Sequence, residues 1–199
     1  MNDLQPFKRT ALAAYGAAFL FAIHLVTYFI PAIRDVTTSS SVFGAEALAL
    51  LAVAEHLVLF PVVAILPAPP WARAVGYGWL ILDIATDIMQ LNGAPKLIYL
   101  SLRYGANVAA SLWIASASWQ GKGALRVIGI IVALDLVTYS FIAFIPFTFL
   151  LLLPSLVLLP LWFVLVGRFL AEQDRLSGLP TAGKHEALSL SEISSGTPL

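Results

Sequence analysis

The sequence predicts an all-α membrane protein: a bundle of six transmembrane helices with both termini in the cytoplasm. Of the 199 residues, 60% are apolar and 11% are charged, and the mean hydropathy is +0.90. Soluble domains carry about 25% charged residues, so this chain has too little polar material to cover a water-exposed surface. Six stretches also reach the roughly 20 apolar residues that are needed to cross about 30 Å of hydrocarbon.

The first three helices are predicted at about 11–33, 43–66 and 71–91. The first stretch is longer than the apolar region of a cleaved signal peptide, about 7–15 residues, so we expect an uncleaved anchor helix. Pro67, Pro69 and Pro70 end the second helix, because proline lacks the N–H group that a helix interior requires. Asn92 and Gly93 form a typical helix-terminating turn after the third.

The last three helices are predicted at about 97–119, 124–144 and 148–170. Because the 47 residues from Ala124 to Leu170 are almost continuously apolar, they exceed one span and are expected to reverse near Pro146. Residues 1–170 thus form the six-helix transmembrane domain. The polar, Ser- and Gly-containing stretch 171–199 is expected to be a disordered cytoplasmic tail.

The basic residues predict the orientation. With a cytoplasmic N-terminus, eight basic residues fall in cytoplasmic segments and two, Arg34 and Lys96, fall on the opposite side. This bias follows the positive-inside rule. We therefore expect an integral protein of a plasma (inner) membrane or an endomembrane, with both termini cytoplasmic.

Net charge and cysteine content exclude several functions. Eleven basic residues balance eleven acidic ones, so there is no basic field to hold nucleic acid. The chain has no cysteine, which excludes disulfides, thiolate metal sites and a cysteine nucleophile. The expected partners are the lipid bilayer and a lipophilic small molecule, with a homodimer as a further expectation if the protein is a transporter.

Ionisable side chains inside the predicted helices are the candidates for function. Each costs at least about 2.5–3.5 kcal/mol at the bilayer centre, so it should face the bundle interior and have a partner. Several lie four residues apart, on one helix face, and so predict polar stripes that converge on an internal cavity. Asp83, Glu55 and Asp135 are the candidate catalytic residues. The candidate ligand-binding or supporting residues are His24, Tyr28, His56, Trp79, Asp87, Tyr99, Arg103, Asn107 and Tyr139.

Counted depths predict where the stripes meet. At 1.5 Å per residue, Asp87 and Arg103 lie at about the same level and are expected to form an ion pair. The polar residues populate the middle and outer parts of the bundle, so we expect a cavity that opens outward and is closed at its cytoplasmic end. The sixth helix has no ionisable residue before Arg168. It is expected to face lipid or to back the bundle.

Three function classes fit this pattern. The favoured one is a membrane-embedded enzyme, an isomerase or cyclase whose carboxylates act as general acid or base on an isoprenoid-like or other lipid substrate. A small proton- or cation-coupled transporter or channel, and a non-catalytic sensor or assembly subunit, remain open. We expect no metal ion or other cofactor: His24 and His56 lie on different helices, without the HExxH spacing of zinc sites. Their counted depths also differ by about 5 Å, which disfavours haem ligation by both.

Overall fold

The computed structural model describes residues 5–29, 42–143, 145 and 149–177. This part of the chain forms six helices, as the sequence predicts. They are α1 (Gln5–Phe29), α2 (Val42–Ile65), α3 (Pro70–Leu91), α4 (Lys96–Gln120), α5 (Ala124–Ile142) and α6 (Phe149–Ser177). The all-helical fold class is therefore confirmed.

Two predicted helix ends are wrong. The first helix begins at Gln5 and not near residue 11, and the last extends to Ser177 and not to residue 170. Both errors arise because the prediction ended a helix where its apolar residues end, whereas backbone hydrogen bonds continue through polar residues. The predicted ends at 30–33 and the tail segment 178–199 lie outside the described residues.

Turn residues explain the ends of the middle helices. Pro70 occupies the first position of α3, where a missing N–H costs nothing because the first turn has no intrahelical acceptor for it. Gly93 follows α3 with φ +70°, a left-handed conformation that glycine adopts without steric cost. The next N–H, of Ala94, donates to the carbonyl of Met89 at 3.0 Å. This turn reverses the direction of the chain before α4 begins.

The helices form a closed ring. The backbone of each helix packs against the helices that precede and follow it in sequence, and α1 packs against α6; within the described residues, other pairs of helices meet only through side chains. Ring closure leaves a central space that side chains from every helix can reach. One half of this space lies toward the α2–α3 and α4–α5 connections, and the other toward the opposite connections.

The half near the α2–α3 and α4–α5 connections is filled by aromatic side chains. Trp113, Trp162 and Phe163 are fully buried, and each ring contacts the next with centroids 5.6 Å and 5.1 Å apart. The indole N–H of Trp162 donates to Ser118 Oγ at 3.0 Å. We call Trp113, Trp162 and Phe163 the aromatic floor, because they close this end of the central space.

Four helices are long and apolar enough to cross a membrane. Their apolar segments are Pro6–Thr27, Glu46–Ile65, Ala124–Ile142 and Leu152–Leu176. They lie in α1, α2, α5 and α6, and they are consistent with a membrane protein. Helices α3 and α4, which are also predicted to span the membrane, are less apolar than these four. The reason is that they carry several of the ionisable residues, including Asp83, Asp87 and Arg103.

Candidate ligand-binding cavity

A cavity of about 370 Å³ lies above the aromatic floor and is lined by residues of all six helices. Ligand pockets in proteins measure about 300–1,000 Å³, so this cavity is large enough for a small molecule. Most of the residues expected to converge do line it. These are His24, Glu55, His56, Trp79, Asp83, Asp87, Arg103, Asn107 and Tyr139.

His56 and Asp83 form the central pair of the cavity. His56 Nε2 lies 3.1 Å from Asp83 Oδ2, and the indole N–H of Trp79 donates to the same oxygen at 2.5 Å. Trp79 and Asp83 are four residues apart on α3, the spacing that predicts a shared face. His56 and Asp83 are both buried, and both line the cavity.

The hydrogen bond made by His56 Nδ1 indicates which ring nitrogen of His56 carries a hydrogen. His56 Nδ1 lies 2.7 Å from the carbonyl oxygen of Ala52, and a carbonyl accepts but cannot donate, so Nδ1 must carry a hydrogen. The contact between Nε2 and Asp83 Oδ2 then holds one further proton, either as N–H with a carboxylate or as O–H with a neutral imidazole. One proton therefore lies between His56 Nε2 and Asp83 Oδ2, bound to one of these two atoms.

Glu55 and His24 form a second pair on the same cavity. His24 Nδ1 lies 3.1 Å from Glu55 Oε1 and 3.3 Å from Oε2. Glu55 is buried, whereas the side chain of His24 is 41% exposed. The pair joins α1 to α2 and presents an accessible imidazole beside a buried carboxylate.

Arg103 pairs with Asp87, as the counted depths predict. Arg103 Nη2 donates to Asp87 Oδ1, and Nε and Nη2 donate to the hydroxyl oxygen of Thr86 at 3.2 Å and 3.0 Å. Arg103 Nε also lies 3.9 Å from Asp83 Oδ1. One guanidinium therefore compensates two buried carboxylates of α3.

Asp135 has a different place from the one expected. It does not line the cavity; instead it accepts hydrogen bonds from the hydroxyl and the backbone N–H of Ser155, the latter at 3.0 Å. The prediction that Asp135 joins the other carboxylates is therefore wrong in position, because its carboxylate turns toward α6 and not toward α2 and α3.

The sixth helix, which is expected to face lipid or to back the bundle, exposes an apolar outer face that includes Val157 and Leu161, and it also lines the cavity. Helix α6 contributes Ser155 and the leucines 152, 156 and 159 to the cavity lining. The signal that could have indicated this is the serine directly after Pro154, the only polar side chain between Thr148 and Gly167.

One candidate tyrosine is replaced by another. Tyr99 is not among the lining residues, whereas Tyr104 is. At 100° per residue, Tyr99 points about 75° away from the mean direction of the α4 residues that line the cavity. Tyr104 contacts Tyr139 edge to face, with centroids 5.9 Å apart. The side chain of Tyr28 lies outside the described part of the structure.

The two histidines of the cavity belong to separate side-chain pairs. Within the described residues there is no group of three or more His, Asp or Glu side chains that could hold a metal ion, and His24 and His56 contact different carboxylates.

No protein-family model, curated protein or solved structure matches this chain. The function must therefore be argued from the cavity itself.

Proposed function

We propose that the chain crosses a membrane six times with both termini in the cytoplasm. The polar residues of α3 and α4 turn toward the cavity, and large apolar side chains on their outer faces are exposed, among them Ile81, Ile88, Leu102 and Leu112. With 22 and 25 residues, these helices are long enough for a span of about 20 residues. A polar inner face and an apolar outer face are what a spanning helix around a cavity requires.

We further propose that the protein is a membrane-embedded enzyme that performs acid–base chemistry on a lipophilic substrate. The observation that carries this proposal is the proton shared by His56 and Asp83 at the wall of a ligand-sized cavity. A general acid must hold a proton close to the substrate and be able to release it at neutral pH. A neighbouring pair, the buried Glu55 with the accessible His24, supplies an acceptor for a second proton.

Double-bond isomerisation is the reaction that two such pairs suit best. A shift of a carbon–carbon double bond adds a proton to one carbon and removes a proton from another, so the substrate is unchanged in composition. The His56–Asp83 pair donates the first proton, and the Glu55–His24 pair accepts the second. Neither step needs an oxidant, a reductant or a metal ion.

The aromatic floor argues against conduction through the bundle. An ion needs polar groups or water along its whole route, and below the cavity it would meet Trp113, Trp162 and Phe163, which are fully buried. The polar residues therefore serve a chamber that is closed at one end, and not a path between two surfaces.

Deuterium uptake tests the enzymatic proposal even while the substrate is unidentified. Membranes of the source cells are incubated in D₂O with purified protein, the lipids are extracted and returned to H₂O, and carbon-bound deuterium is measured by mass spectrometry. We expect a lipophile that gains deuterium with the native protein and not with Asp83→Asn, which keeps the shape but loses the shared proton. Ser116→Ala is the control, since its hydroxyl bonds to the carbonyl of Leu112 on its own helix and Ser116 is not among the residues that line the cavity. Absence of deuterium from every extracted lipid would refute the proposal.

Reporter fusions test the six-span topology. Fusions at Ser40 and Pro95 should report the outer side, and a fusion at Ser194 should report the cytoplasm. A signal from the outer side at Ser194 would overturn the six-span arrangement.

A further inference from the structure

The distribution of polar groups around the cavity indicates the chemical class of the ligand. Charged and amide side chains come from α1, α2, α3 and α4, whereas the wall formed by α5 and α6 has no charged side chain: it presents Leu136, Leu152, Leu156 and Leu159 beside the hydroxyl groups of Tyr139 and Ser155. A ligand that fills this space therefore meets polar groups at one side and aliphatic groups at the other. This division indicates an amphipathic molecule with a short polar head.

Two hydrogen-bond donors on the polar side have no partner among the described residues. Arg103 Nη1 makes no hydrogen bond there, since the hydrogen bonds of this side chain to Thr86 and Asp87 use Nε and Nη2. The side-chain amide of Asn107 has no hydrogen bond within the same part of the chain, and both residues line the cavity. They lie four residues apart on α4, which puts both donors on one face. Unpaired donors at the wall of a pocket are available to an acceptor on the ligand.

The charge of the cavity decides which acceptor fits. Glu55, Asp83 and Asp87 supply three carboxylates, against one guanidinium and two histidines. If both histidines hold protons the lining is neutral, and otherwise it is negative. An anionic head would therefore be repelled or, at best, gain nothing. A cationic head could reach the carboxylate oxygens Asp83 Oδ1 and Asp87 Oδ2, which have no hydrogen-bond partner among the described residues, but it has no lone pair for Arg103 and would approach the guanidinium. A neutral oxygen acceptor remains.

We propose that the cavity binds a neutral lipophile with an oxygen acceptor, a carbonyl or a hydroxyl, which receives hydrogen bonds from Arg103 and Asn107 while its hydrocarbon part packs against the leucines of α5 and α6. At about 30 Å³ per non-hydrogen atom, taken from the share of a water molecule in the liquid, a volume of 370 Å³ holds about a dozen atoms. A chain of about ten carbons with one oxygen matches it. This inference rests on the proposed function, because it assumes that the cavity is a ligand site.

A series of ten-carbon probes tests the inference on the full chain in lipid nanodiscs. The probes are decane, 2-decanone, decanoate and decylamine, and the readouts are the dissociation constant and the thermal midpoint. We expect 2-decanone to bind at least about tenfold more tightly than decane, since a hydrogen bond from a charged donor supplies that difference. The infrared carbonyl band of bound 2-decanone should shift to lower frequency than in hydrocarbon.

Asn107→Leu provides the matched variant, because it removes the amide and keeps a similar volume. We expect it to weaken 2-decanone binding by about three- to tenfold, to leave decane binding unchanged and to reduce the infrared shift. Ser116→Ala, elsewhere on α4, should change neither constant.

The outcomes separate the two proposals. Equal affinity for decane and 2-decanone, or tightest binding of decanoate or decylamine, would overturn the inference about the head group while leaving a ligand cavity. If no probe binds or raises the thermal midpoint, the cavity is not a lipophile site, and the proposed function fails together with the inference.

Discussion

Loss of Arg103 is the most informative perturbation of stability. Arg103→Ala removes the cation that pairs with Asp87 and leaves this carboxylate, which is 2% exposed, without a compensating charge. It also removes the cation near Asp83, one turn away on the same helix. Breaking a buried ion pair by deleting one partner costs about 3–5 kcal/mol. Because the side chain of Arg103 is 32% exposed, we expect the lower end, about 3 kcal/mol.

The assay is thermal unfolding of purified variants in one detergent. For a chain of this size, 1 kcal/mol shifts the midpoint by about 2–4 °C, so Arg103→Ala should lower it by about 6–12 °C. The control is Arg168→Ala on α6, whose side chain is exposed, and its midpoint should change by less than about 2 °C. The double variant Arg103→Leu with Asp87→Leu should recover most of the loss, because no charge is left buried and unpaired.

One result would refute this reasoning. If Arg103→Ala lowers the midpoint no more than Arg168→Ala does, the pair with Asp87 contributes no stability. In that case the guanidinium of Arg103 acts only in ligand binding. The double variant Arg103→Leu with Asp87→Leu should then be less stable than Arg103→Ala.

Three further predictions follow from the cavity and its floor. Asp83→Asn should abolish deuterium uptake and shift the thermal midpoint by only a few degrees. Asp135→Asn should retain uptake, because asparagine still offers an acceptor oxygen to α6. If both variants lose uptake equally, Asp135 is a catalytic residue after all. Liposomes that contain the protein should show no proton or potassium flux in a dye assay, and a flux that disappears in Asp83→Asn would favour the transporter. Gly76→Ala should destabilise the fold by about 1–3 kcal/mol, because a Cβ there would lie 2.8 Å from ring carbons of Trp113. The control Gly78→Ala has open space around the new Cβ and should not destabilise the fold. Equal thermal midpoints for the two variants would show that the aromatic floor can move aside.

Residue spacing and apolar length were enough to predict the six helices and the polar face of each helix. A period of 3.6 residues fixes which side chains share a face, so the pairing of Trp79 with Asp83 follows from their spacing alone. The rise of 1.5 Å per residue fixes relative depth along neighbouring antiparallel helices, which is why Arg103 and Asp87 could be matched by counting. Apolar composition likewise indicated a membrane protein, because hydrocarbon accepts no polar surface.

Which helix faces meet each other could not be predicted from the sequence, because it depends on how the six helices pack. Contacts such as Asp135 with Ser155 and Glu55 with His24 depend on how far each helix is rotated about its axis and on which helix lies beside it. Those quantities are set by close packing: Gly129 lies so near Ser118 and Trp162 that no Cβ fits there, which fixes the approach of α5 to α4 and α6. Ring closure by α1 and α6 is decided in the same way, with Gly167 packed under the ring of Tyr15. Single-helix periodicity contains no information about these contacts, because rotation and neighbour identity are properties of pairs of helices.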